Sequence, residues 1–108
     1  MRAIINGTRI KNRKTLHNAF ARQLSLPEWY GRNLDALYDC LSEITEDSEI
    51  ILRNPSLLRE TFGTYAQMLE TVLRDVCDEN PHLRLTVEKD REPKKEPADD
   101  AAKTEMEE

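Results

Sequence analysis

Glu49-Ile50-Ile51-Leu52-Arg53-Asn54-Pro55 stands at the middle of the chain and reads as a strand that runs straight into a helix. Three consecutive apolar residues, two of them β-branched, suit a strand covered on both sides of its pleat. Asn54-Pro55 stops it, with Asn54 as N-cap and Pro55 at the first position of a short helix through Leu57, Leu58 and Phe62. Before this strand, Leu34, Leu37, Cys40, Leu41 and Ile44 recur at helical spacing behind Asn33, a good N-cap residue. An earlier helix carries Leu16, Ala19, Phe20 and Leu24, and ends ahead of Leu26-Pro27 because a residue before proline is pushed towards extended geometry. Arg2-Ala3-Ile4-Ile5 reads as the first strand, closed by the turn dipeptide Asn6-Gly7.

Beyond the central strand, Thr64 with Gln67 has capping-box spacing. The helix it opens is expected to bury Tyr65, Met68, Leu69, Val72, Leu73 and Val76, and Asn80-Pro81 stops it. Leu83, Leu85 and Val87 then alternate with Arg84, Thr86 and Glu88 as a last strand. Strands separated by helical segments favour parallel pairing. The uniformly apolar middle strand belongs at the centre. The expected fold class is therefore α/β, a three-stranded parallel sheet in the order 1-2-3 with about four helices. From Lys89 onward the composition turns to Glu, Lys, Asp, Ala and Pro, too polar to offset ordering entropy. Residues 1–88 are expected to form one domain and 89–108 a disordered charged tail.

The chain has 108 residues and a net charge of -5, which conceals a strong segregation. Residues 1–34 carry seven basic side chains and one acid, Glu28. Residues 35–52 carry six acids (Asp35, Asp39, Glu43, Glu46, Asp47 and Glu49) and no base. Such an acidic block repels nucleic acid and attracts a basic partner, although a charge run is often only a solvated face. Asp35, Asp39 and Glu43 fall at i, i+4 and i+8. Stacked like charges cost a helix about 0.2–0.5 kcal/mol per pair, and only Asp35, in the first turn, gains from the helix dipole. Stability gives no reason for this stripe; binding a cationic surface does. Trp29 and Tyr30 precede it and Tyr38 adjoins Asp39, and aromatic residues of these types anchor interfaces. Gly31 allows close backbone approach.

Other chemistries fit less well. Acid–base catalysis by paired carboxylates needs a pocket that separates their pKa values, and this stripe lies on a convex surface. RNA binding through the basic N-terminal third is a further alternative. The three glycines form no phosphate-cradling loop, and no nucleophile motif appears. Cys40, Cys77, His17 and His82 lack metal-ligand spacing, so no metal or cofactor is expected. His17 adjoins an apolar face and reads as structural. No membrane span or secretory segment is visible, which points to the cytoplasm and to reduced thiols.

The run from Leu26 to Leu41 (Leu-Pro-Glu-Trp-Tyr-Gly-Arg-Asn-Leu-Asp-Ala-Leu-Tyr-Asp-Cys-Leu) resembles the signature of the barstar family, intracellular inhibitors of a secreted bacterial ribonuclease. Ile5-Asn6-Gly7 and Leu16-His17 are similar as well, and the resemblance covers residues 1 to about 88. It implies a barstar-like sheet of three parallel strands packed with helices. It further implies a 1:1 complex with a basic, extracellular-type ribonuclease, no nucleic acid or membrane partner, and a chain monomeric when free. The second helix and the loop before it would enter the nuclease active site. Asp39 would take the place of substrate phosphate, Asp35 would pair with further bases, and Trp29 and Tyr38 would pack around the cleft. Asp75, on the last helix, would add a peripheral contact. The expected contact set is Trp29, Tyr30, Gly31, Asn33, Leu34, Asp35, Ala36, Tyr38, Asp39, Glu43, Ile44 and Asp75. This chain departs from the family's best-known pattern at the rim: Tyr38 and Ile44 replace tryptophans, Trp29 a tyrosine, Arg32 an acid, Glu43 a glycine and Asp75 a glutamate. The alternative is an immunity or regulatory module for a different basic protein.

Overall fold

A computed structural model describes residues 1–90. The elements are β1 (Arg2–Asn6), α1 (Arg13–Gln23), α2 (Leu34–Ser42), β2 (Ser48–Arg53), α3 (Pro55–Phe62), α4 (Thr64–Glu79) and β3 (Leu83–Val87). The strands pair in parallel in the order β1-β2-β3, with Ala3 beside Ile50, Ile5 beside Leu52, and Ile50 beside Leu85. That register puts Ala3, Ile5, Ile50 and Leu52 on one face, all fully buried with Leu16, Phe20, Leu37, Leu41, Leu69 and Leu73 from the helices. α1 packs on β1 and α4 on β3, while α2 and α3 pack against α4. The other face of the sheet carries Ile4, Ile51 and Thr86, with ion pairs Arg2–Glu49 and Arg53–Glu88 beside them. The outer edge of β1 is closed by Gln23, whose amide accepts from the Ile4 N–H at 2.8 Å and donates to the Ile4 carbonyl at 3.0 Å. Gly7 is required by close approach: a Cβ there would lie 2.4 Å from the Asn54 carbonyl oxygen.

Several local expectations are corrected by tertiary contacts. Asn54 sits at the N-cap position of α3 in left-handed geometry (φ 53°) and makes no side-chain cap. Its amide donates instead to Asn6 Oδ1 at 3.0 Å, tying the ends of β1 and β2. The cap comes from Asp90, whose carboxylate accepts from the Ser56 N–H at 3.0 Å and the Ser56 hydroxyl at 2.5 Å. Contact with the domain thus persists past residue 88; the expectation of a disordered tail otherwise concerns residues 91–108, which lie outside the described residues. Thr64 and Gln67 form no capping box, because Gly63 (φ 56°) takes the N-cap position and Thr64 is already helical. Met68 is 50% exposed rather than buried. Its place in the interior of α4 goes to Ala66 and to Glu70, which meets Arg59 in two hydrogen bonds of 2.9 and 3.1 Å and has Arg74 at 3.8 Å.

Candidate partner-binding surface

α2 begins as its sequence requires. The Asn33 side chain accepts from the Ala36 N–H at 2.8 Å, and its amide donates to the Gly31 carbonyl. Leu34, Leu37, Cys40 and Leu41 are buried against the core, which turns Asp35 and Asp39 to solvent. The helix ends at Ser42, so Glu43 is its C-cap residue rather than a third helical acid, and Ile44 lies beyond it, half-buried. No carboxylate of Asp35, Asp39, Glu43 or Asp75 forms an ion pair or hydrogen bond among the described residues.

The preceding loop divides its two aromatics. Trp29, in the loop that leads to α2, is 72% exposed. Tyr30, expected at the contact surface, is only 2% exposed and belongs to the core. Its hydroxyl is hydrogen-bonded to His17 Nδ1, and His17 Nε2 meets the Tyr65 hydroxyl at 2.7 Å. A neutral imidazole suits this position, since one ring nitrogen donates while the other accepts. Burial, with the Arg32 and Arg13 cations adding to it, holds the His17 pKa below its ordinary value. Burial likewise pushes the Tyr30 pKa up. Leu34, also expected at the surface, is a core residue. Both are corrections: Tyr30 and Leu34 hold the loop and the start of α2 to the core, while Trp29 and Gly31, on either side of Tyr30, stay exposed. Arg32, in left-handed geometry, completes the anchor by donating to Asn18 and to the Tyr30 carbonyl.

α4 extends the acidic face. The Tyr38 hydroxyl donates to Glu79 in an exposed hydrogen bond, and this bond, with desolvation and the nearby Glu79, Asp75 and Asp39 charges, keeps its pKa pushed up to about 12. Asp39, Tyr38, Asp75 and Glu79 are therefore one neighbourhood built from two helices. Glu79 was missed from the sequence; its signal was the i, i+4 spacing from Asp75, which puts both on one face. Among the described residues, no group of His, Cys, Asp and Glu could hold a metal ion, and no helix is long and apolar enough to cross a membrane. Cys40 and Cys77 are free thiols, with pKa values raised first by burial.

Residues 1–94 match the family described as Barstar (barnase inhibitor). The chain belongs to the barstar family. It is also similar to a Bacillus subtilis (strain 168) protein named "Putative ribonuclease inhibitor YrdF", with 34% identity over 77 residues. That alignment covers 70% of this chain and 85% of the relative. The barstar-family segment includes the whole acidic face, the loop that leads to it and the Asp90 cap on α3.

Proposed function

We propose that this barstar-family protein inhibits a basic, extracellular-type ribonuclease by covering its active site with α2, the loop before it and the Asp75–Glu79 edge of α4, in a 1:1 complex. The observation that carries this is the set of unpaired acids around Asp39 with no basic residue between Arg32 and Arg53. A catalytic cleft that binds phosphate is cationic, and an array of fixed carboxylates complements it. Asp39 is the central contact and stands where substrate phosphate would lie. Asp35 and Asp75 pair with flanking bases, Trp29 and Tyr38 pack around the cleft, and Gly31, Asn33, Ala36, Glu43 and Ile44 form the surrounding contact. The relative's name, a ribonuclease inhibitor, supports the target class. The acids work by binding rather than by catalysis, since they stand exposed to solvent and not in a pocket of the kind acid–base chemistry uses. The protein acts in the cytoplasm as an immunity factor, where its two thiols stay reduced.

The test is an RNA-cleavage assay with the secreted ribonuclease of the source organism. Wild-type protein is expected to abolish cleavage at equimolar ratio, and Asp39→Ala to leave cleavage largely intact while melting like wild type. Undiminished cleavage at excess wild-type protein, or equal inhibition by folded Asp39→Ala, would overturn the reading. The rim residues Tyr38, Glu43 and Ile44 favour a nuclease whose cleft border differs from that met by the family's best-known member.

A further inference from the structure

Between the C-terminal end of α2 and the turn at residues 24–27 lies an open groove of about 420 Å³. That is within the ~300–1,000 Å³ of sites that hold small ligands. Leu26, Pro27 and Ile44 are its half-buried apolar walls, Cys40 is buried beneath, and Glu43 and Glu46 stand exposed at its border. Glu46 is held by the Met1 ammonium at 3.3 Å. Glu43 has no partner among the described residues.

The position of Glu43 makes this unusual. A helix C-terminus carries about half a negative charge and ordinarily attracts a base. The last turn of α2 has none, and its cap residue is an acid. The Asn80 amide donates to the carbonyls of Leu41 and Ile44, both at 2.9 Å, which satisfies hydrogen bonding there but supplies no charge. The groove therefore combines apolar walls with a negative end at Glu43, the Met1 ammonium that also lines it being taken up by Glu46 and the Asp47 carbonyl. Long basic side chains have the matching shape, an aliphatic stem with a cation at its tip.

We propose that this groove is a subsite that takes one lysine or arginine side chain of the protein partner, its stem against Leu26, Pro27 and Ile44 and its cation at Glu43. The proposal rests on the ribonuclease-inhibitor reading for the identity of the partner, but its chemistry can be tested without one. Titration of the isotopically labelled full chain with Nα-acetyl-L-argininamide, followed by amide NMR, supplies the probe; the neutral citrulline amide is the control. Saturable shifts are expected at residues 24–26 and 43–46 with the arginine probe and not with the citrulline probe. Glu43→Gln is expected to weaken that binding about threefold, the size of an exposed ion pair. No saturable shift at residues 24–26 and 43–46, or no change in Glu43→Gln, would overturn it. In the ribonuclease complex, Glu43→Gln is expected to weaken affinity by a similar factor and to reduce its salt dependence. Loss of the complex in Asp39→Ala with none in Glu43→Gln would remove the subsite and leave the inhibitor reading standing. Failure of wild type to bind any ribonuclease would remove the inhibitor reading, and the arginine titration would still decide the groove.

Discussion

Asp39 and Glu70 are both acids on helices packed in the same layer, yet their surroundings are opposite. Asp39 is exposed, unpaired and set among like charges from Asp35, Asp75 and Glu79. Glu70 is buried and held by Arg59 in a two-point hydrogen bond, with Arg74 near. One region is arranged for the fold, with every charge answered inside the molecule. The other leaves the Asp35, Asp39 and Asp75 carboxylates without a partner among the described residues, at a small cost to the free protein that the proposed function would offset when a cationic surface binds.

The comparison breaks if mutations at the two sites have similar effects. The largest expected effect is on binding. Asp39→Ala is expected to cost about 3–5 kcal/mol of affinity for the ribonuclease, the scale for stranding a buried charge on the partner. The loss is expected in the dissociation rate, while Glu46→Ala, at the wet rim, changes mainly the association rate, a rule for which the barstar family is itself a reference case. Melting of free Asp39→Ala is expected to match or slightly exceed wild type, because one like-charge pair is relieved. Rates measured at two salt concentrations, with melting curves alongside, check this; an Asp39→Ala protein that loses binding only by unfolding would erase the contrast.

Glu70→Ala is expected to behave in reverse. It leaves the partly exposed Arg59 without its acceptor and opens a buried site, at about 1–2 kcal/mol of stability. Denaturant unfolding reads this, and the affinity of the folded fraction is expected to stay at the wild-type level. A binding loss as large as that of Asp39→Ala would mean that the two regions are coupled.

His17 carries the contrast into pH dependence. Its folded pKa lies below the ordinary 6.5, so the native state holds it neutral. A base with a depressed folded pKa contributes stability above its unfolded pKa and loses it as pH falls through the folded value. Stability is thus expected to be level near pH 7 and to decline below about 6.5, by no more than about 1.4 kcal/mol per pH unit from this group. His17→Gln, which keeps hydrogen bonds to Tyr30 and Tyr65, is expected to flatten the decline in that window. An unchanged slope would show that other groups set it.

The smallest effect sharpens the boundary of the folded region. Truncation after Asp90 is expected to leave the melting temperature unchanged. Truncation after Glu88, or Asp90→Ala, is expected to lower it slightly, because Ser56 then loses its cap. Equal melting of all three would deny the cap any role.

Much of this molecule follows from local sequence. Helix periodicity, the Asn33 cap, the apolar run Ile50-Ile51-Leu52 and the charge segregation all act within a turn or a pleat, and they specified the element order, the parallel sheet and the exposure of Asp35 and Asp39 on α2. What they did not specify depends on segments far apart in the chain. Tyr30 is drawn inward by His17 and, through it, Tyr65; Asn54 turns to Asn6; Ser56 is capped from Asp90, 34 residues on; and Tyr38 finds Glu79 on another helix. No spacing along the chain encodes those pairs. They arise because parallel strand register brings the ends of β1, β2 and β3 to one edge and lays α2 beside α4. A polar group then takes whichever partner the packed core places within reach.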